Sequence, residues 1–491
     1  MGIIQKQSSR SVIILTLSFA IGAINLLFLY KTFFTKDEVG LTRVLLDVTV
    51  LLSSFAALGA PSIIIKFFPF YRDYTKPKQN DLFFITGLLT LMGFGLMCVL
   101  VHTNQHLIIK KYSANAPLLV NYFYLVYGYC FFYIVYGWLE AIAWSHKITT
   151  TSNLLRELVV RLSTTVFILL YALHVVNFKV FLWLISLSYA LPCIILAYII
   201  TKRYGLPLVP SISNVTKRIN KRMRNFGMFV LLGLMFGALG RVFDSIFLAS
   251  NNGLADTFIF TIAAYFAAVL EIPQRSIVNI STPVLADCWK EHNIKNIQDI
   301  YAKSSVTLLL CGCVIFGLLW INVNNLIAYL GPDYASIKYA LLFLLLTKVV
   351  DMSTGVNGQI IITSNLYKYD FYFSILLTVI MIVSSYFLIK SYGLLGAAIS
   401  NLITFSIYNI VRCVFLYYHY KLQPFTSNSL VVVGCCTVSI AITYLLPTFS
   451  IFYVDAFIRT ALYLVVLLPV IYVVNPVPHV KALVLGYLSK R

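Results

Sequence analysis

Long apolar segments, separated by short polar ones, run along the whole chain. Most contain roughly twenty residues, the length that an α-helix needs to cross a hydrocarbon core about 30 Å thick. A membrane β-strand would instead need about ten residues that alternate between apolar and polar, and these segments are continuous. The pattern therefore predicts fourteen transmembrane helices. Their predicted ranges are 11–30, 44–65, 82–101, 118–139, 154–174, 180–201, 226–249, 257–273, 306–330, 339–363, 371–389, 395–418, 430–446 and 456–474.

Composition agrees with this prediction. Of the 491 residues, 60% are hydrophobic and 11% are charged, and the mean hydropathy is +0.87. Soluble domains carry about 25% charged residues. No long stretch of mixed composition is left for a soluble enzymatic domain. The chain has no Walker A phosphate-binding loop and no HExxH zinc motif, so we expect a non-enzymatic, all-α polytopic membrane protein without a bound cofactor.

The excess of positive charge predicts the topology. The net charge is +20, from 37 Lys and Arg against 17 Asp and Glu. With a cytoplasmic N-terminus, 24 of the basic residues fall in inner segments, 8 in outer segments and 5 within spans. Cytoplasmic loops of membrane proteins are enriched in Lys and Arg. We therefore expect a multi-pass protein of the cell inner (cytoplasmic) membrane with both termini in the cytoplasm.

A basic connection divides the predicted spans into two sets of six. It predicts an N-terminal lobe at 1–203, a linker at 204–225, a C-terminal lobe at 226–423 and two further helices with a tail at 424–491. A short internal sequence repeat supports this division. Gly40 and Leu41 open the second span, which Pro61 closes, while 253–254 and 273 repeat that arrangement in the eighth. Duplicated halves around a midplane site are typical of transporters that work by alternating access.

Two spans carry a cation and a carboxylate three positions apart. They are Arg241 with Asp244 and Lys348 with Asp351. A charge at the centre of a membrane helix costs about 2.5–3.5 kcal/mol on insertion scales. Residues three apart share a helix face, so each pair either neutralises itself or faces a common aqueous cavity.

Four cations at increasing predicted height form a candidate path for an anionic group: Arg161, Lys348, Arg241 and Arg43. Cationic side chains supply the donors that phosphate groups need. A simpler interpretation pairs Arg161 with Glu157 and Arg43 with Asp47. Arg412 and Arg459 are expected to extend to the two membrane interfaces.

The carboxylates within spans are candidates for H⁺ or Na⁺ coupling. They are Asp47, Asp244 and Asp351. The alternative is that each is only a counter-ion of its neighbouring cation.

Three short motifs resemble a known family. They are LGAP at 58–61 followed by IKFFP at 65–69, YLGPDYA at 329–335, and YGLLGAA at 392–398. In this order, and with fourteen spans, the chain resembles polysaccharide-unit (oligosaccharide) flippases of the multidrug/oligosaccharidyl-lipid/polysaccharide exporter superfamily. The resemblance implies two six-helix lobes in a V, a central cationic cavity and two extra helices. It also implies flipping of an undecaprenyl-diphosphate-linked oligosaccharide to the outer leaflet, and leaves a polysaccharide polymerase open as a partner.

Three alternatives stay open, of which a lipid scramblase or peptidoglycan-precursor flippase would share the fold and differ only in cargo. A multidrug extruder of the same superfamily would need an acidic cavity, whereas cations outnumber acids in the predicted spans. A membrane polymerase or ligase acting on lipid-linked sugars would need a long outer catalytic loop, and the predicted outer loops are short.

Overall fold

A computed structural model describes residues 14, 16–74, 80–206, 208, 210 and 212–474. These residues form helices, and no strand occurs among them, which confirms the all-α membrane fold. The helices are α1 (Thr16–Phe33), α2 (Lys36–Ala56), α3 (Ala60–Tyr74), α4 (Leu82–Thr103), α5 (Gln105–Tyr112), α6 (Pro117–Tyr122), α7 (Leu125–Ser145), α8 (Thr149–Leu154), α9 (Val160–Ala172), α10 (Phe178–Ser186), α11 (Ala190–Tyr204), α12 (Asn214–Asn251), α13 (Leu254–Ala268), α14 (Glu271–Lys290), α15 (Ile294–Ile321), α16 (Val323–Leu330), α17 (Ile337–Ser353), α18 (Asn357–Thr363), α19 (Lys368–Tyr420), α20 (Ser427–Tyr444) and α21 (Phe452–Val474).

Ten helices within the described ranges are long and apolar enough to cross a membrane, or up to twelve when two bent pairs are counted. The predicted number of fourteen is not confirmed by this count. The 53-residue α19 is interrupted at Gly393, which has φ 54° and ψ −129°. Only glycine adopts such a backbone readily. The chain folds back there, since Ser385 bonds Ser400 at 2.7 Å and an added Cβ at Gly396 would meet the Leu388 carbonyl.

Contacts between helices divide the chain into two compact units, residues 1–258 and 259–491. In unit 1, α2 packs against α7 and against α12. Thr35 caps the start of α2 through a reciprocal pair with Glu38. An aromatic cluster closes one end of this unit, where the Phe34 ring stacks 4.4 Å from Tyr171 and lies 4.7 Å from Phe181.

The second half of the predicted linker is helical. Residues 214–225 belong to α12, which continues without a break to Asn251. The Asp81 carboxylate accepts from the Ser213 amide and from the Thr216 hydroxyl, each at 2.8 Å, so it fixes the start of α12. The lobe boundaries at 203, 225 and 423 stay a prediction.

Unit 2 contains two buried apolar clusters. One brings Tyr301 and Leu416 together with residues of α14 and α18. The other joins α15 to the last two helices through Val432, Tyr463 and Leu467. The hairpin of α19 packs along α17, and α17 packs along α15, so the polar side chains of α17 lie between helices rather than on an outer surface.

Candidate functional site

In unit 1, Arg43 and Asp47 form an ion pair along α2. Arg43 Nε donates to Asp47 Oδ2 at 3.0 Å, one helical turn apart. The Arg43 side chain is 40% exposed and that of Asp47 only 4%. The buried carboxylate is therefore paired with a more exposed counter-ion. This agrees with the simpler interpretation of the sequence, in which Arg43 pairs with Asp47.

Arg161 is held by α1 and by its own helix. Its guanidinium lies 3.5 Å from Glu157 Oε2, donates to the Ser18 carbonyl and stands 4.9 Å from the Phe19 ring centroid. Asn25 Nδ2 donates to the Arg161 carbonyl at 3.1 Å. These contacts join α1 to α9, so Arg161 holds the two helices together in addition to any ligand that it binds.

Arg241 and Asp244 differ in exposure although they lie on one helix. Arg241 is exposed and donates from Nε to the Gly237 carbonyl at 3.0 Å. Asp244 is 6% exposed, on a helix that packs against α2 and α3. The three-residue spacing thus puts the carboxylate into the helix interface and leaves the guanidinium accessible.

In unit 2, Lys348 forms an ion pair with a distant residue. Its Nζ lies 2.6 Å from Glu271 Oε1, on α14, and 5.7 Å from the Phe405 ring centroid. The other oxygen of Glu271 accepts from Arg275 at 2.9 Å. One carboxylate therefore serves two cations, and the triad carries a net positive charge. The side chains of Lys348 and Glu271 keep 23% and 26% exposure.

Asp351, three residues after Lys348, is surrounded by amides. Oδ1 accepts from Asn409 at 3.0 Å and Oδ2 from Gln274 at 2.7 Å. Asn409 Oδ1 in turn lies 2.9 Å from Asn357 Nδ2 and 2.9 Å from the Thr354 hydroxyl. Neutral amide donors thus hold this carboxylate, and none of these contacts is made with a cation.

Both clusters lie at breaks in helices. α13 and α14 meet at 46°, with Glu271 as the first residue of α14, and α17 and α18 meet at 47° around Gly355. Gly355 has φ 61°, and a Cβ there would meet the Ser304 hydroxyl at 2.7 Å. A carboxylate is favoured at a helix N-terminus by the helix dipole. Broken helices at membrane depth occur where they line a cavity or are buried in protein.

Two arginines expected at the membrane interfaces are instead buried, which corrects that prediction. Arg412 is 9% exposed and pairs with Asp370 across the α19 hairpin. Arg459 is 6% exposed, pairs with Asp455 at 2.6 Å and donates to three carbonyls of the 443–447 segment. Partners on neighbouring chain segments hold both guanidinium groups inside the protein, although Arg412 Nε is buried without a hydrogen-bond partner among the described residues.

A further ion pair that was not predicted joins Arg156 to the buried Glu140. Arg156 Nη1 lies 2.6 Å from Glu140 Oε2, and its Nη2 lies 3.3 Å from the Tyr133 hydroxyl. Glu140 lies one residue past the predicted span 118–139, and Arg156 lies in the first turn of the predicted span 154–174. The apolar run that continues through 141–144 was the signal that Glu140 lies inside a helix, now seen as α7. Arg156 lies in a π-helical turn at Leu155–Val159, a feature that is frequent at functional sites.

Metal chemistry finds no support in the described part of the chain. No group of three or more His, Cys, Asp or Glu side chains there is arranged to hold a metal ion.

The fold itself has relatives among solved structures. The sequence matches no protein-family model and no curated protein. The lipid II flippase MurJ in an inward closed conformation aligns with a TM-score of 0.73 and 14% identity, over 93% of this chain and 97% of that one. An inward-facing multidrug resistance MATE family transporter of the MOP superfamily aligns with a TM-score of 0.64 and 16% identity, over 84% and 94%. The chain has the MOP-superfamily fold.

MOP abbreviates the multidrug/oligosaccharidyl-lipid/polysaccharide exporters, so the resemblance drawn from the three motifs is confirmed at the level of the superfamily fold. A further MOP transporter, from Pyrococcus furiosus and described as having a binding pocket of reverse polarity, aligns with a TM-score of 0.60 and 14% identity, over 85% and 96%. Cargo differs among proteins of one fold because it depends on the side chains of the site.

Proposed function

We propose that this protein is a flippase rather than an enzyme. It translocates a polyprenyl-diphosphate-linked oligosaccharide, of the undecaprenyl type, from the cytoplasmic to the outer leaflet for surface polysaccharide biosynthesis. Alternating access of a MOP fold in the cell inner membrane, with both termini cytoplasmic, performs the transfer. The observation that carries the proposal is the Glu271 triad, in which Lys348 and Arg275 meet one carboxylate at a helix break.

In this proposal, the diphosphate is recognised by the four cations that the sequence predicts at increasing height. Arg43, Arg161, Arg241 and Lys348 supply them in this proposal. Arg241 is exposed and bonded to a main-chain carbonyl, so it can engage an anion without giving up an ion pair. Guanidinium groups bind phosphate oxygens in a bidentate fashion. Lys348 must leave the Glu271 carboxylate in order to bind the cargo. Because that carboxylate competes with the diphosphate, binding of the cargo to Lys348 is reversible.

The shared carboxylate supports a route for coupling. If Glu271 takes up a proton, Lys348 and Arg275 become two uncompensated cations, and their attraction for a diphosphate rises. When the proton leaves, the carboxylate competes with the cargo and favours its release. Proton uptake and cargo binding are then linked thermodynamically, each favouring the other.

Besides Glu271, we propose Asp47, Asp244 and Asp351 as coupling residues for H⁺ or Na⁺. Asp351 is the strongest of the three, because amide groups rather than a cation hold its oxygens. Oxygen-rich clusters of carboxylate, amide and hydroxyl groups suit hard cations. A rotation of the Asn409 and Asn357 amides would present their oxygens to Na⁺ beside the carboxylate.

The second candidate is a multidrug antiporter, which the MATE relatives suggest by their names. An organic cation needs an accessible carboxylate without a competing cation. The Asp351 cluster favours this candidate, whereas the Arg43–Asp47 pair and the Glu271 triad oppose it. A polysaccharide polymerase remains a proposed partner of the flippase, acting on the sugar that it delivers.

The test is a leaflet-translocation assay in proteoliposomes with a fluorescent undecaprenyl-diphosphate oligosaccharide. Wild-type protein should move the lipid to the opposite leaflet. Lys348→Ala should slow the transfer at least about tenfold, the effect of losing one charge-assisted contact worth about 1.5–3 kcal/mol. Lys368→Ala removes an exposed lysine of unit 2 and should leave the rate unchanged.

Equal rates for the wild type and Lys348→Ala would remove Lys348 from the cargo site. Efflux of an organic cation such as ethidium, without lipid transfer, would replace the flippase by the antiporter.

A further inference from the structure

The beginning of α12 carries a cluster of cations. The helix starts at Asn214, and five of its next ten residues are basic. These residues are all exposed and form the basic face of α12: Lys217, Arg218, Lys221, Arg222 and Arg224. No Asp or Glu occurs between positions 205 and 243, and no carboxylate of the described residues forms a salt bridge with any of the five. The positive charge of the basic face is therefore not compensated by the part of the chain that the structure describes.

The five cations lie on one side of the helix. Successive residues of an α-helix are rotated by about 100°, so the basic face spans about 160° of the circumference. The buried residues of the same segment lie on the opposite side, within an arc of about 80°. They are Thr216, Ile219, Met223 and Gly227. The segment is therefore amphipathic, with one side packed on the protein and the basic side turned outward.

Contacts with α3 hold the segment in this orientation. Tyr71 of α3 is buried, and its hydroxyl lies 2.6 Å from the Thr216 hydroxyl and 3.5 Å from the Met223 sulfur. The Thr216 hydroxyl also donates to the Asp81 carboxylate at 2.8 Å. A rotation of α12 that turned the basic face inward would break all three contacts. The cations are thus held on the outer side before any ligand binds.

The outward side of α12 changes from basic to apolar over about one helical turn. Residues 226–240 contain no charged side chain. Met228, Phe229 and Leu232 of this stretch are 58%, 47% and 41% exposed, and their helical positions fall within the same arc as the basic face. One side of a continuous helix is therefore basic up to Arg224 and apolar from Met228 onward. This change matches the passage from headgroups to hydrocarbon at a bilayer surface.

A lysine of α3 lies at the same level as this change. Lys66 is exposed, and its Nζ lies 3.8 Å from the centroid of the Phe226 ring. The Phe226 ring also lies 5.7 Å from the Phe67 ring. Aromatic side chains are enriched where a helix crosses from the membrane to water. Lys66 thus adds a sixth cation where the apolar stretch of α12 begins.

From this arrangement we propose that the basic face of α12, together with Lys66, binds the headgroups of anionic phospholipids at the membrane surface from which α12 emerges. Clusters of Lys and Arg next to a membrane span attract anionic lipids, and each cation near the surface strengthens the attraction. A soluble polyanion would meet the same charge. The apolar continuation of the same side of α12 favours a bilayer as the partner. The interaction anchors unit 1 to the membrane surface and does not depend on the cargo.

The experiment is photo-crosslinking to the full chain in nanodiscs that contain equal amounts of phosphatidylglycerol and phosphatidylcholine. Each lipid is supplied in turn as a probe with a diazirine in its headgroup, and mass spectrometry measures the labelling of residues 214–228. The phosphatidylglycerol probe should label this segment at least about tenfold more than the phosphatidylcholine probe, because several cations contribute about fivefold each. An increase of NaCl from about 0.05 M to about 0.5 M should remove most of this preference, since salt screens exposed charges.

Matched double variants isolate the basic face. Lys221→Gln with Arg222→Gln should lower the phosphatidylglycerol labelling of residues 214–228 at least about fivefold, the effect expected from the loss of one or two surface cations. Lys202→Gln with Arg203→Gln removes two exposed cations of α11, changes the net charge equally, and should leave the labelling of this segment unchanged. Lys221→Arg with Arg222→Lys keeps both charges and should label like the wild type.

Equal labelling of the wild type by the two probes would overturn the proposal, and so would undiminished labelling of the double glutamine variant. Displacement of the phosphatidylglycerol probe by inorganic polyphosphate at constant ionic strength would assign the basic face to a soluble polyanion instead. The salt dependence of the wild type needs no variant, so it decides the question even if the double glutamine variant fails to fold. A preference that persists at high salt would show that the basic face does not bind lipid through its charge.

Discussion

Lys348 Nζ lies 2.6 Å from Glu271 Oε1, although the two residues are 77 positions apart. Lys348 lies on α17, Glu271 at the first position of α14, and each comes from a helix that is broken nearby. The contact connects a cation on an apolar helix to the exposed end of a helical segment. Because of this ion pair, the charge of Lys348 in unit 2 is partly neutralised by Glu271.

The first prediction concerns the energy of this contact. Lys348→Met and Glu271→Gln, made singly and together, should show a coupling energy of about 1–2 kcal/mol, below that of a fully buried pair because both side chains keep partial exposure. The measurement is the free energy of unfolding in detergent micelles. Single-variant effects that add within about 0.5 kcal/mol would show that the pair contributes nothing.

The second prediction concerns Asp351. Asp351→Asn leaves one acceptor oxygen where two donors, Asn409 Nδ2 and Gln274 Nε2, now bond. One donor loses its partner, and we expect a loss of about 1–3 kcal/mol in unfolding free energy. Removal of the charge should also abolish the dependence of translocation on a Na⁺ or H⁺ gradient.

Asp299→Asn is the matched control, since Asp299 is an exposed carboxylate of the same unit. It should change neither stability nor gradient dependence. A gradient response that persists in Asp351→Asn would exclude Asp351 as the coupling residue.

The third prediction concerns Arg459. Arg459→Leu leaves Asp455 buried without its cation, and the carbonyls that Arg459 bonds lose a donor. Breaking a buried ion pair costs about 3–5 kcal/mol, so thermal unfolding should shift strongly downward. Arg72→Leu breaks the Arg72–Asp73 pair, whose side chains are 59% and 54% exposed. That control should cost less than about 1 kcal/mol, and equal shifts would mean that burial does not determine the effect.

The fourth prediction concerns the space beside Arg412. A Cβ at Gly358 would meet the Arg412 guanidinium at 2.8 Å. Gly358→Ala should therefore displace Arg412 from Asp370 and cost about 1–3 kcal/mol, the usual penalty of overpacking. Gly434 has nothing within 4 Å of its Cβ position, and Gly434→Ala should stabilise α20 by up to about 1 kcal/mol. If the melting temperatures of Gly358→Ala and Gly434→Ala shift in the same direction, this explanation is contradicted.

The presence of the membrane helices could be predicted from the local sequence. A helix satisfies its backbone hydrogen bonds internally, so a continuous apolar stretch of sufficient length predicts it without knowledge of any neighbour. The predicted spans 371–389 and 395–418 illustrate this, because the chain turns back between them at Gly393 within α19. The apolar run through 141–144 could likewise have extended α7 past Glu140.

Ionic partners were predictable only where they lie on one helical turn. Arg43 with Asp47 and Arg161 with Glu157 are four positions apart and pair as the simpler interpretation expects. Lys348 and Asp351 are three positions apart and choose different partners, because Glu271 and Asn409 are brought closer by packing. A local pair contributes only about 0.2–0.5 kcal/mol, which a better-placed distant partner exceeds.

The features of this protein therefore fall into two groups, those determined by the sequence alone and those determined by tertiary packing. The amino-acid sequence by itself determined a helical membrane protein and the spans that carry charge, since insertion depends on the hydrophobicity of each segment alone. Only the tertiary structure decided which carboxylate neutralises which cation, and that Arg412 and Arg459 are buried. The physical reason is that ion pairs and cavities belong to the space between helices, and that space exists only once the helices have packed.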